Sequence, residues 1–91
     1  MSKAGVKIKY CPKCGWLLRA SWMAQELLTT FSDEIGELSL IPSEPGSFEI
    51  VVDDKVVWSR RMENGFPEIK NLKILIRDII SPAKDLGHTD R

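Results

Sequence analysis

The chain has 91 residues, with 13 lysines and arginines set against 13 aspartates and glutamates and no net charge at neutral pH. Domains run to roughly 100–200 residues, so the chain holds one domain at most, and at this size only about 60–65% of the unfolded surface is buried, which predicts a thin core. Neutral balance excludes the basic stripe that nucleic acid requires, the basic helix of a membrane-surface protein, and an acidic solvating tail. The hydrophobic fraction of 43% is that of a globular protein.

The first residues, Met1-Ser2-Lys3-Ala4-Gly5, lead into alternating valine, isoleucine and lysine, which is neither a secretory leader nor a myristoylation site. Apolar concentrations over residues 16–28 and 72–80 are broken by Arg19, Gln25, Glu26, Lys73, Arg77 and Asp78. They fall short of the ~20 apolar residues that a membrane span needs. A cytoplasmic protein without membrane contact is expected.

Apolar and basic residues alternate strictly over Val6-Lys7-Ile8-Lys9-Tyr10, which predicts a strand with one wet face. A helix follows from Trp16 to about Phe31, with Leu17, Ala20, Ala24, Leu27, Leu28 and Phe31 at three- and four-residue spacing. Ser32-Asp33-Glu34 and Gly36 end it. A second strand is expected over residues 37–41, then a turn at Pro42-Ser43-Glu44-Pro45-Gly46. X–Pro bonds are cis in only about 5–6% of cases, and with Gly46 following, a trans Pro45 is expected. Strands at 47–52 and 55–59 flank Asp53-Asp54, residues that tolerate the left-handed region of a tight hairpin. Residues 60–66 read as a loop. Pro67 suits the first position of a last helix, whose apolar face is Ile69, Leu72, Leu75, Ile76, Ile79 and Ile80 and which Pro82 stops.

Val6, Ile8, Tyr10, Phe48, Ile50, Val52, Val56 and Trp58 can share one sheet face, and Lys7, Lys9, Ser39, Glu49 and Ser59 the other. One apolar face calls for both helices on the same side. The expected fold is therefore an α/β two-layer sandwich of order β-α-β-β-β-α, with a mixed four-stranded sheet. It forms a single domain over residues 1–81, and a polar tail over 82–91, His88 included, is expected to be mobile.

The chain has two cysteines, in Cys11-Pro12-Lys13-Cys14. In a reducing compartment such a pair is catalytic or metal-binding rather than a structural staple. The pair falls between the first strand and the first helix, where unpaired N–H groups and the helix dipole stabilise a thiolate, and Lys9 and Lys13 act in the same direction. A spacing of three brings the sulfurs within disulfide reach, so one can attack a partner and the other resolve the mixed disulfide. Pro12 fits the first helical position and stiffens the loop. Two alternatives stay open. Half a zinc site could be completed by carboxylates or by a second chain, since His88 is the one histidine. A redox-sensing interaction module would bind partners according to the state of the pair without turnover.

The run Ile8-Lys9-Tyr10-Cys11-Pro12-Lys13-Cys14-Gly15-Trp16, with Gly46-Ser47-Phe48-Glu49-Ile50 and Gly65-Phe66-Pro67 in that order, resembles the selenoprotein W-like family, also called the Rdx or SelT/SelW/SelH family. The resemblance covers about residues 5–80. It implies a thioredoxin-like fold without the middle helix and redox activity linked to glutathione. In that family's selenoproteins the motif ends in selenocysteine, a position that Cys14 fills here. Analogy with thioredoxin makes Cys11 the attacking thiol and Cys14 the resolver, whereas the selenocysteine position points to Cys14; Cys11, expected nearer the helix end and more exposed, is the favoured attacker.

Around Cys11 and Cys14, the residues expected to contact substrate are Pro12, Lys13, Trp16, Gly46 and Ser47. Trp16, Trp22 and Met23 exceed one helical stripe and serve either as core or as a partner-binding patch. Arg60, Arg61 and Lys70 are either a solvated face or a carboxylate-binding group. The expected function is a thiol–disulfide oxidoreductase without bound cofactor or metal. It would act on a protein disulfide, a glutathione mixed disulfide or a peroxide, with glutathione as possible co-substrate, and an apolar patch near the cysteines could close a homodimer.

Overall fold

The alternation read in the first strand fixes the centre of the molecule. In the computed structural model, which describes residues 3–87, β1 (Ala4–Tyr10) buries Val6, Ile8 and Tyr10 on one face and turns Lys7 and Lys9 to the other. It pairs in parallel with β2 (Ile35–Pro42) and antiparallel with β3 (Phe48–Val52), and β3 pairs antiparallel with β4 (Lys55–Ser59). The sheet order is β2-β1-β3-β4, a mixed four-stranded sheet as expected. β1 starts two residues earlier than its alternation suggests. Ala4 N–H donates to Glu34 O and Gly5 N–H to Asp53 Oδ1, both at 2.9 Å. β2 likewise starts at Ile35 and runs through Gly36, where a Cβ would stand 2.9 Å from Lys3 Cβ, so glycine lets the chains pass.

The hairpin between β3 and β4 turns on Asp53 (φ 47°) and Asp54 (φ 70°), both left-handed as a two-residue primed turn requires. Asp53 is held by its bonds to Gly5, while Asp54 pays left-handed strain with an exposed side chain. Asp54→Gly is expected to stabilise the fold by up to ~1 kcal/mol and raise Tm by several degrees in a thermal melt. A fall in Tm would mean that the Asp54 side chain contributes more than it strains.

β4 departs from the expected pattern. Register shifts between Ile50 and Val51, so Ile50 faces Trp58 while Val51 faces Val56. The bulge turns Val56 outward, 51% exposed, and Val57 takes the expected place of Val56 against the core. Trp58 packs half-buried on the core and donates Nε1–H to Gly65 O at 3.0 Å. The stretch expected to be a loop also contains one short helical turn, α2 (Arg60–Glu63), closed by Asn64 at φ 59°.

Two longer helices cover the apolar sheet face. α1 (Leu17–Thr30) contributes Ala20, Met23 and Leu27, and Phe31 just beyond its end is fully buried. α3 (Ile69–Ile80) contributes Leu72 and Ile76. Each of the larger of these side chains, from Met23 to Ile76, contributes about 1.5–3 kcal/mol when taken from water, before the entropy of ordering it. α3 starts two residues later than Pro67. Glu68 is extended, and its carbonyl accepts the first helical bond from Leu72 N–H at 2.9 Å. Leu75 and Ile79 lie at the rim of the expected apolar stripe, each more than a third exposed, and the buried Lys73 occupies the inner face. Its Nζ donates to Glu26 Oε1 of α1 at 2.9 Å, so an ion pair joins the two helices while the lysine stem fills the seam.

After α3, Arg77 Nη1 donates to Lys84 O at 3.0 Å, Lys84 pairs with Glu34 at 3.1 Å, and Leu86 packs against the core. The rest of the expected tail, His88 included, lies outside the described residues. Among the described residues no helix is long and apolar enough to cross a membrane.

Candidate functional site

β1 delivers the cysteines to one end of the sheet. Past Tyr10 the chain leaves the ladder and turns over residues 12–15, where Gly15 N–H donates to Pro12 O at 3.2 Å and Gly15 takes φ +76°. That left-handed step suits glycine and separates the turn from α1. Pro12 therefore does not open the helix. It and Lys13 lie exposed in a turn of their own, and the dipole of α1 does not begin at the cysteines.

A disulfide joins Cys11 and Cys14, with Cα atoms 5.4 Å apart. Cys11 is 1% exposed, whereas Cys14 lies exposed on the turn. This reverses the expectation that Cys11 presents the more accessible sulfur. Burial of Tyr10 and Cys11 continues the buried end of β1 into the turn, and Cys14, three residues on, is the point at which the turn reaches solvent. Cys14 N–H donates to Cys11 Sγ at 3.2 Å. The polarisation expected from the helix start is thus supplied by one backbone amide within the turn.

Trp16, expected as a substrate contact, stands at the start of α1 in an aromatic cluster. Its ring meets Phe66 edge-on at 4.9 Å and Phe48 at 6.4 Å, and Phe48 meets Phe66 at 5.1 Å. Such edge-to-face pairs fix orientation as well as burying area. Arg19 lies 4.0 Å over Phe66, and Arg60 lies 5.0 Å from Trp16. Of the residues exceeding one stripe on α1, Met23 is core and Trp22 is 47% exposed; Leu18 is also exposed, at 80%. Phe48 is the core residue its place on the apolar sheet face predicts, whereas the parts of Phe66 and Arg19 in the cluster are not evident from the sequence. The signal available was Arg19 three residues after Trp16, which places the two on one helical face.

The segment holding Gly46 and Ser47 comes to the same end of the sheet. Pro42 and Phe48 flank Tyr10 in register, and Ser43 N–H donates to Tyr10 O at 2.7 Å. Pro45 is trans, as expected, and Gly46 takes φ +77° to close the turn. Ser47 N–H and Oγ–H both donate to Glu44 O, at 3.1 and 2.7 Å. Ser47 also lines a groove of about 280 Å³ with Lys9, Ser43, Glu44, Glu49 and Arg61. Arg61 is engaged there, its Nη2 donating to Pro45 O at 2.8 Å, while Arg60 belongs to the aromatic cluster and Lys70 lies at the start of α3. The structure thus brings Cys11, Cys14 and Trp16 to one end of the sheet with Gly46 and Ser47, and parts Arg60 from Arg61. Among the described residues no three histidine, cysteine, aspartate or glutamate side chains are grouped to hold a metal.

Comparison with known proteins places this geometry in context. The model of the Rdx family matches residues 5–78. The chain is similar to a crystal structure of a selenoprotein W-related protein from Vibrio cholerae, with 48% identity over 88% of this chain and 100% of that one and a TM-score of 0.85. A crystal structure of a Bordetella parapertussis protein is similar at 47% identity, over 85% of this chain and 98% of that one, with a TM-score of 0.83. No curated protein gives a significant match.

Proposed function

The chain belongs to the Rdx family, and from that premise we propose that it is a thiol–disulfide oxidoreductase in which Cys14 makes and breaks the bond to substrate and Cys11 resolves it. The observation that carries this reading is the pairing of an exposed Cys14 with a buried Cys11 that accepts the Cys14 N–H. Thiol–disulfide exchange needs an open line of approach to the attacked or attacking sulfur. Cys14 offers that line.

In the reduced protein the Cys14 thiolate attacks a disulfide RS–SR. A Cys14–S–SR bond forms, the RS–SR bond breaks, and RS⁻ leaves and takes up a proton. Cys11, deprotonated in turn, attacks Cys14 Sγ and expels the second RS⁻, leaving the protein disulfide and two RSH. In the reverse direction a thiolate attacks Cys14 Sγ and Cys11 leaves. The N–H that points at Cys11 Sγ favours the negative charge gathering there. No bound cofactor or metal enters either direction. Glutathione is a candidate co-substrate and the cytoplasm the proposed compartment.

The test is a redox titration. The purified protein is equilibrated in dithiol/disulfide buffers, free thiols are trapped with an alkylating mass tag, intact mass is read, and metal is assayed on the same sample. A reversible two-electron step between about −180 and −280 mV is expected. Thiols that resist oxidation while zinc co-purifies at half or one ion per chain would replace this reading with a metal-held dimer. Reversible oxidation without catalytic turnover of any disulfide would leave a redox-sensing module.

A further inference from the structure

We propose that the open edge of β2 and the flank of α1 above it form the interface of a homodimer, in which the sheets of two copies join through an antiparallel β2–β2 pair.

The sheet order β2-β1-β3-β4 leaves two edges, and they are guarded differently. β4 is five residues long, starts with Lys55, and carries the register slip against Ile50 and Val51. Short length, an edge lysine and a bulge all keep an edge strand from pairing further. β2 has none of these over its middle. It is eight residues long, and from Glu37 to Pro42 it pairs with β1 without a break. Glu37 is its one charged residue. Among the described residues no strand meets its outer side, so alternate N–H and C=O groups there have no ladder partner.

The helix above this edge is equally bare. α1 contacts both β1 and β2. Its two charged residues turn towards α3, Arg19 lying over Phe66 and Glu26 meeting Lys73. The opposite flank, above the outer side of β2, is uncharged. Leu17, Ser21, Ala24 and Leu28 follow one another there at helical spacing and make a single stripe. Leu17 is 49% and Leu28 42% exposed. Below them Leu38 and Leu40, on the same sheet face as Val6 and Ile8, are only partly buried. Leucines thus run from the helix flank down to an unpaired strand edge.

Both elements match a second copy of themselves. A two-fold axis through Ser39 sets Leu38 opposite the partner's Leu40 and Glu37 opposite the partner's Ile41, so no like charges meet. Residues opposite one another in an antiparallel ladder share a face, so the leucines stay on the helix side. The same axis runs the two α1 helices antiparallel, with Leu17 against the partner's Leu28 and Ser21 against the partner's Ala24. Large side chains then meet at the ends of the stripe and small ones at its centre. The spacing also closes. Strands about 4.8 Å apart put the axis about 2.4 Å outside β2, and a helix seated between β1 and β2 stands about 4.8 Å from that axis. The two α1 axes are then about 10 Å apart, the upper end of the 8–10 Å of packed helices. Eight strand residues span about 26 Å, and two layers about 20 Å, so on the order of 1,000 Å² is buried in total. That is the low end for a specific interface and implies a dimer of micromolar affinity. The cysteine turns lie at opposite ends of the joined sheet, clear of the contact.

The test is sedimentation of the full chain over a concentration series, with reductant and a chelator present so that neither a disulfide through Cys14 nor a shared metal can hold two chains. The unaltered protein is expected to pass from monomer to dimer in the micromolar range and to go no further. Ser39→Lys and Ser39→Glu each set like charges face to face on the axis, and Leu28→Lys puts a charge into the helix contact. Each is expected to weaken association by roughly 10-fold or more. An equimolar mixture of Ser39→Lys and Ser39→Glu should recover the dimer, which a folding defect in either variant would prevent. Val56→Lys, an exposed position on the other edge strand, should leave association unchanged. A protein that stays monomeric throughout the series would overturn the proposal. So would a dimer indifferent to Ser39→Lys and Leu28→Lys, a dimer lost through Val56→Lys, a mixture that does not recover, or growth beyond two chains. None of these outcomes touches the oxidoreductase reading, which rests on the cysteines.

Discussion

Cys14→Ser is expected to abolish capture of a disulfide substrate, whereas Cys11→Ser is expected to accumulate the mixed disulfide and stop there. The asymmetry follows from burial. A serine at position 14 removes the exposed cysteine sulfur, and the remaining thiol at Cys11 is 1% exposed, so an incoming disulfide cannot align with it. A serine at position 11 leaves Cys14 on its exposed turn but removes the resolving thiolate. With glutathione disulfide in excess, intact mass of Cys11→Ser should rise by one glutathionyl adduct, and that of Cys14→Ser should stay unchanged over the same time. Exchange at a sterically closed thiol is slowed by access even where its thiolate is favoured, so a difference of two orders of magnitude or more in capture rate is expected. The opposite pattern, with Cys14→Ser trapping the adduct, would restore the thioredoxin-like assignment in which Cys11 attacks. Capture by both single variants would mean that the turn opens widely when reduced, and the burial of Cys11 would then not decide the order.

That assignment marks the boundary of what the residues alone reveal. The strand of β1 was legible because alternation over Val6–Tyr10 is a local property with a period of two. The α1 and α3 stripes were legible for the same reason, as was the left-handed hairpin at Asp53 and Asp54. What escaped depends on contacts distant in sequence. Which cysteine faces solvent depends on the path of a four-residue turn after β1, and both cysteines read alike within Cys11-Pro12-Lys13-Cys14. Val56 and Val57 exchange places because the pairing of β4 with β3 slips at Ile50 and Val51, which neither strand records by itself. α2 spans four residues, too few for any periodicity to appear. Lys73 reads as a wet residue in an apolar helix and is buried because Glu26 of another helix meets it. The site shows the same division. The cysteine pair, Trp16 and the Gly46-Ser47 turn were evident as motifs, whereas Phe66 and Arg19 gain meaning once α1 and the chain before α3 meet.

Phe48→Ala is expected to cost about 3–5 kcal/mol, the largest loss of stability from a single side chain near the site. Phe48 is fully buried, stands opposite Tyr10 in the β1–β3 register, and meets both Trp16 and Phe66 edge-on. Removing the ring leaves a cavity that β1 and β3, locked by their ladder, close poorly. A domain of this length has a total stability on the order of 5–14 kcal/mol, so the variant would lose a large share of it. Tm should fall by roughly 12–40 °C, using about 4–8 °C per kcal/mol for a domain of this size. Phe48→Leu separates packing from ring geometry. It keeps most of the volume and should cost only about 1–1.5 kcal/mol, but it offers Trp16 no ring edge. A well-folded Phe48→Leu protein whose near-ultraviolet circular dichroism changes while its far-ultraviolet spectrum does not would place Phe48 as the support beneath Trp16. A loss below about 1 kcal/mol for Phe48→Ala would mean that the aromatic cluster closes over the gap, contrary to the dense interior that makes large-to-small changes costly. The cluster would then be too pliant to hold the guanidinium groups of Arg19 and Arg60 on its rings.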